Sequence, residues 1–391
     1  MKKIIMIFLT LSLSLFGMSY AKFKKHIEEN SKVLKSQQLS LEANRQENNI
    51  LLRTQNPTLD LVAARYNPDF TDSEYGYEIS ASQTIRTGNY LEGLQDKANA
   101  SNLLQQAYIL EGKAGYIKML EMLYTDYVHQ AKLLSLIKQE HALSNKVTGI
   151  VEDRYKNGSE NKVAYLQAKT DTLALKTQIH TTKQEMNSLH YQLLSIAGFS
   201  EKVSLDQKFI YSVSHQTQNA LKVSPKEKIL TAKEKVLASQ IRMNDSSINS
   251  YELSAGIEQE PDQSILRFGI SIPLAVQHNK EEEKALAKLK MQQLELDNAQ
   301  LKLDLNLQKQ RLKSSIKELS QQYYSLKKLE GEQKALSELL LEGYKIAQGS
   351  IFVMMNAKNK LIQTEKSLLK TQAMINKRKI ELRFIQGLYN D

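Results

Sequence analysis

Residues suited to chemistry are few in this 391-residue chain, and their spacing argues against a catalytic centre. Seven histidines stand at positions 26, 129, 141, 180, 190, 215 and 278, with no ligand spacing such as His-x-x-x-His. There is no cysteine, which removes thiol nucleophiles, thiolate metal sites and disulfides together. No nucleophile elbow, phosphate-binding loop or convincing pair of catalytic carboxylates is present. The sequence therefore predicts a protein that is not an enzyme and holds neither cofactor nor metal. The spacing that does stand out belongs to a turn. Arg154 to Lys169 reads RYKNGSENKVAYLQAK, and moving forward 189 positions carries Tyr155, Gly158, Leu166, Ala168 and Lys169 onto Tyr344, Ala347, Met355, Ala357 and Lys358. The same offset carries Ser82 and Ile85 onto Ser271 and Leu274. One offset fitting two separated landmarks is the signature of an internal two-fold repeat. Read alone, each of the two turns could be no more than a helix cap.

Those turns need long helices to carry them. Proline-free stretches with apolar residues at helical spacing run from about Asn89 to Tyr155 and from Gln277 to about Ala347. Each would be a rod of about 100 Å at 1.5 Å per residue. Asn157-Gly158 supplies a left-handed cap for the first. Shorter helices return from each turn, the first stopping at Gly198 and followed by a fresh start at Ser224-Pro225 with Glu227 behind it.

Ahead of each rod the period changes from helical to two. Thr58 to Tyr66 and Tyr77 to Ile85 read as one antiparallel hairpin, and Tyr251 to Glu258 with Leu266 to Leu274 as another. In the last strand Leu266, Phe268, Ile270, Ile272 and Leu274 alternate with polar or very small residues. Nine or ten residues with one apolar face is the length that crosses a bilayer as a tilted β-strand.

The N-terminus reads as an export signal: basic Lys2 and Lys3, apolar Ile4 to Phe16, and a small-x-small site at Ser19-Tyr20-Ala21. Residues beyond it hold no apolar run of about 18 residues, so no transmembrane helix is expected. The formal charge of +10 is dispersed among acidic residues along the helices. That is the pattern of a solvated helix surface, and no nucleic-acid partner is expected. The expected division is a signal peptide over 1–21, an N-terminal helix over 22–57, a membrane hairpin over 58–86 and a helical hairpin over 87–198 with its tip at 154–161. An equatorial segment and helix over 199–247, a second membrane hairpin over 248–276 and a second helical hairpin over 277–391 with its tip at 343–351 complete it.

With these features together, the sequence resembles the TolC-like family of outer-membrane efflux proteins over nearly all of the mature chain. The repeat, the two tips RYKNGSENKVAYLQAK and GYKIAQGSIFVMMNAK, and the strand ending FGISIPL carry the resemblance. It implies a mainly α fold with a small β part. Three chains contribute four strands each to an outer-membrane β-barrel, continued by a long periplasmic α-helical barrel. It also implies a passive duct that docks a periplasmic adaptor and, through it, an inner-membrane pump. The adaptor-contact role falls on Arg154, Tyr155, Gly158, Leu166 and Ala168, and on Tyr344, Ala347, Gly349, Met355 and Ala357. Acidic residues that narrow such a tunnel would be among Glu152, Asp153, Glu160, Glu338 and Glu342. Ala347 departs from the family's second glycine, so the second turn is expected to be shaped differently. Two other readings use long helices: a periplasmic adaptor, which needs one helical hairpin flanked by glycine-rich β modules, and a soluble coiled-coil protein, which has no use for two-faced strand hairpins.

Overall fold

The computed structural model describes residues 17–67, 72–214, 223–245, 248–274, 280–346 and 349–389. Lys2, Lys3 and Ile4 to Phe16 of the expected signal, and Ala347 of the second turn, lie outside these residues.

Helices dominate. In chain order the elements are α1 (Tyr20–Asn30), α2 (Lys32–Leu52), β1 (Thr58–Tyr66), β2 (Glu74–Arg86), α3 (Gly88–Lys156), α4 (Lys162–Ala197), α5 (Pro225–Asn244), β3 (Ser250–Gln259), β4 (Ser264–Ser271), α6 (Glu281–Lys345) and α7 (Ile351–Ile385). The chain forms two compact units. One comprises Met1–Lys35, Lys113–Lys222 and Asn306–Asp391, the other Ser36–Gly112 and Val223–Leu305, with α3 and α6 contributing to both.

The single N-terminal helix expected over 22–57 is in fact two. Ser31 takes extended torsions, φ −61° and ψ 121°, and its Oγ accepts the Leu34 N–H at 3.4 Å while donating to Tyr116 Oη at 3.1 Å. A serine that satisfies an orphan N–H of the next turn is a helix N-cap, so the side chain that starts α2 also interrupts the run. At α5, Ser224 precedes Pro225 at the first helical position, and the Glu227 carboxylate accepts the Ser224 N–H at 2.9 Å, closing off donors the helix start leaves unpaired.

In the first unit a core of Phe23, Ile27, Leu120, Tyr124, Tyr127, Val128, Leu193, Ala197 and Leu205 joins α1, α3, α4 and the segment after α4. That segment has little secondary structure, and its backbone is held by side chains. Tyr124 Oη donates to Asp206 O at 2.6 Å, and Ser320 Oγ to Val213 O at 2.9 Å. Asn376 bonds both the N–H and the carbonyl of Tyr211, while Lys379 Nζ reaches Ser212 O at 2.9 Å. Backbone groups that cannot pair in a helix or ladder are thereby satisfied. Glu121, 2% exposed, gathers three phenols: Tyr20 at 2.9 Å, Tyr211 at 2.8 Å, and Tyr389.

In the second unit both hairpins belong to one antiparallel sheet of order β1-β2-β3-β4. Its central ladder pairs Ile79 with Ile257 and Ala81 with Ala255, so strands far apart in sequence form the middle of the sheet. Among the described residues no helix is long and apolar enough to cross a membrane.

Candidate functional site: a two-faced sheet and two joined turns

The registers of the three ladders decide what each face of the sheet carries. Leu61 pairs with Ile79, Ile79 with Ile257 and Ile257 with Leu266. Leu59, Ala81, Ala255 and Phe268 form the next row. Partnered residues share a face and successive residues alternate. One face thus collects Leu59, Leu61, Tyr75, Tyr77, Ile79, Tyr251, Leu253, Ile257, Leu266, Phe268 and Ile270. Its polar members sit at strand ends, where Arg65 bonds Ser73 Oγ at 2.8 Å and Gln83 bonds Gln55 O at 2.8 Å. The opposite face carries Asp60, Glu78, Ser80, Ser82, Glu252, Ser254, Gly256, Glu258, Arg267 and Gly269, with Val62, Ala64, Tyr66 and Ile265 as apolar exceptions.

Burial runs opposite to that of a soluble sheet. Phe268 is 78% exposed, Leu61 69% and Ile270 62%, whereas Glu78, Ser80, Glu252, Ser254 and Glu258 are half-buried. The polar face is also the crowded one. A Cβ on Gly256 would lie 2.8 Å from Ser80 Cβ, and one on Gly269 would lie 2.6 Å from Ser254 Oγ. Very small residues let neighbouring strands approach closely on that side. One apolar face and one polar face are what a strand set needs when lipid lies on one side and water on the other. Glu78 stands opposite Glu258 in the ladder, a like-charge pair that is unfavourable alone. Arg267 offsets it by pairing with Glu258.

The turns are in the first unit. After α3, Gly158 adopts φ +72°, the left-handed conformation that ends helices, and Ser159 and Glu160 N–H groups return to Arg154 O at 2.8 and 3.2 Å. Asn161 then caps α4, its Oδ1 accepting the Ala164 N–H at 2.8 Å. The second turn packs against the first. Arg154 Nη1 donates to Tyr344 O at 2.9 Å, and its guanidinium lies 4.5 Å from the Tyr344 ring centroid. Tyr344 Oη donates to Glu160 Oε2 at 3.1 Å. Burial, with Glu160 adding to it, pushes the Tyr344 phenol up to about 12, so it stays a donor at any ordinary pH. Beneath lie Val147, Val151, Ala164, Ala168, Ile351, Met354 and Met355.

The residues read from the sequence separate into two groups. Ala168, Tyr344, Met355 and Ala357 are buried within the chain, the first three in the cluster that joins the turns. Tyr155 and Leu166 are exposed, and the Tyr155 ring stacks on Tyr165 at 5.6 Å. Gly349 does not share the left-handed torsion of Gly158. Of the acidic residues, Glu152 pairs with Lys156 at 2.8 Å and Glu160 is engaged by Tyr344. Sequence reasoning missed Val163, Ile346, Phe352 and Val353, all more than half exposed. The i, i+3 spacing of Val163 and Leu166 placed them on one helix face. Among the described residues no group of three His, Asp or Glu side chains is placed to hold a metal.

An antiparallel sheet of inverted polarity on a chain of very long helices is the fold of the TolC-like outer-membrane channels. Three solved structures share it over nearly the whole chain. The outer-membrane channel OprN matches with a TM-score of 0.79 at 12% identity, covering 95% of this chain and 90% of its own. The outer-membrane protein VceC of Vibrio cholerae matches at 0.76 and 12%, covering 94% and 95%. The CmeC outer-membrane channel of Campylobacter jejuni matches at 0.75 and 14%, covering 93% and 85%. No family model matches the sequence, and no curated protein does. The likeness is one of fold.

Proposed function

We propose that this chain is one protomer of a passive outer-membrane export channel. Three copies close a twelve-stranded barrel, and their helices extend into the periplasm. There they dock an adaptor that links the duct to an inner-membrane pump. The observation that carries this reading is the four-stranded sheet with one exposed apolar face and one polar face. Four strands enclose no useful lumen, and unpaired edges are not tolerated in lipid, so β1 of one protomer must meet β4 of the next. Solved outer-membrane channels of the same fold support it. The 189-residue offset in sequence and the repeated order of hairpin, long helix, turn and helix support descent from a duplicated unit.

In this reading the turns are the docking and gating end. Exposed Tyr155, Val163, Leu166, Phe352 and Val353 offer apolar contact to an adaptor, and Gly158 and Gly349 stand in the loops that present them. The Arg154–Tyr344–Glu160 contacts hold the two turns of one chain together in the resting state, and opening requires their separation. The protein binds no nucleotide and couples to no energy source itself. Fractionation tests the reading: the chain should sediment with outer membranes and run as a trimer that requires detergent. Recovery as a soluble periplasmic monomer would overturn it and favour a coiled-coil protein.

A further inference from the structure

Residues that the sequence assigns to the removed signal are built into the fold. Met18 forms a parallel bridge with Leu205: its N–H donates to Ser204 O at 2.8 Å, and the Asp206 N–H donates to Met18 O at 3.0 Å. A Cβ on Gly17 would stand 2.7 Å from the Leu205 carbonyl carbon, so the chain already lies against that segment one residue earlier. Ser19 takes the extended torsions of a helix N-cap, φ −64° and ψ 151°, and its carbonyl accepts the Phe23 N–H at 3.0 Å. Tyr20 opens α1. Its ring lies 5.0 Å from that of Tyr124, and its hydroxyl donates to the buried Glu121 at 2.9 Å.

Cleavage after Ala21 would undo each of these. Ser204 O and the Asp206 N–H would lose their partners, and Glu121 Oε1 would lose its donor inside the core, where an unpaired polar atom is costly. The new α-ammonium of Lys22 would also sit at the positive end of the α1 dipole, where a cation is unfavourable. We propose that the leader is cut on the N-terminal side of Met18, so that Met18 to Ala21 stay in the mature chain. Water adds across one amide bond, catalysed by the host's leader peptidase before the chain folds, and leaves a carboxylate on the leader and an ammonium on the mature protein. Two acceptable sites precede Met18. Leu15-Phe16-Gly17 ends on a small residue, and Ser12-Leu13-Ser14 has small residues at both critical positions. Either leaves Ile4 to Leu11 as an apolar stretch of ordinary length.

The inference rests on the export reading, and one experiment separates the two. The wild-type chain is purified from outer membranes, and its first residue is determined by N-terminal sequencing and intact mass. A start between Leu15 and Met18 is expected. A start at Ser19 or later, Lys22 included, overturns the inference while leaving export intact. An uncut Met1 overturns the signal reading and this inference with it. In a second arm, an unrelated cleavable leader is joined directly before Met18 or directly before Lys22. The Met18 fusion should reach wild-type trimer yield, with the Lys22 fusion several-fold lower; equal yields would count against retention.

Discussion

Arg154 engages Tyr344 twice, donating to its carbonyl at 2.9 Å while its guanidinium covers the ring at 4.5 Å. A single side chain at the end of α3 therefore fixes the end of α6. Arg154→Ala removes both contacts, worth about 1 to 2 kcal/mol together, and leaves the Tyr344 carbonyl without that donor. In the proposed channel this should release the second turn and raise the open fraction, read as higher conductance in a planar bilayer and faster entry of a large dye into cells. Tyr344→Phe keeps the Arg154 contacts and loses only the hydroxyl to Glu160, so its effect should be smaller. Equal conductance in wild type and Arg154→Ala would refute the restraint.

Gly158 is held at φ +72° with nothing within 4 Å of where a Cβ would stand. The requirement is thus torsional and not steric. Gly158→Ala should cost about 1 kcal/mol, and Gly158→Asn less, because asparagine tolerates the left-handed region. Thermal unfolding of the assembled protein reads the order glycine, asparagine, alanine. If alanine melts with the wild type, the left-handed turn is not needed.

The faces of the sheet make opposite demands. Ile270→Arg places a cation on the apolar face and should block insertion, at about 2 to 4 kcal/mol for a mid-bilayer position. Glu252→Arg lies on the polar face and should leave the yield of the proposed trimer unchanged. It should shift the reversal potential of the channel toward anions, because Asp60, Glu78 and Glu258 otherwise favour cations there. Matching insertion defects in the two variants would mean the faces are assigned wrongly.

Glu140 is 5% exposed with neither carboxylate oxygen hydrogen-bonded. Burial pushes its carboxyl from 4.5 to about 7, with Lys366 and Lys358 opposing the rise and Glu365 adding to it. Between these values the folded chain holds a proton that the unfolded chain has released. Stability should therefore fall as pH rises from 4.5 to 7, then stay at the lower level. Glu140→Gln should remove this slope, stabilising the protein by on the order of 1 to 2 kcal/mol at pH 8 and by little at pH 5. Denaturant midpoints across that range measure it, and parallel curves for the two proteins would contradict it.

Much of the fold was legible because its signals are long. Proline-free helical periodicity over α3 and α6, and alternation from Leu266 to Ile270, leave few alternatives. Single side chains acting at a distance were not legible. Ser31 breaks the N-terminal helix by taking extended torsions and capping α2, while its hydroxyl reaches Tyr116, 85 residues away, and no local pattern announces that contact. At the turns, the tyrosine and Ala-Lys spacing marked the right places. It did not distinguish Tyr344 and Ala168, which are buried against the other turn, from Leu166, which is exposed. That distinction depends on how two segments 190 residues apart pack. Ser19-Tyr20-Ala21 satisfies a cleavage rule that reads small side chains alone, so it gave no warning that Tyr20 reaches Glu121.

The unpaired margins of the sheet have a consequence for assembly. β1 and β4 each turn one row of backbone N–H and C=O groups away from the sheet, and each group left bare in hydrocarbon costs several kcal/mol. A lone protomer entering the bilayer would carry tens of kcal/mol of such groups. In the proposed trimer, partial rings would therefore not be a populated intermediate in the membrane: closure and insertion would be a single event, steeply dependent on protomer concentration, sparing the cell half-built, leaking pores.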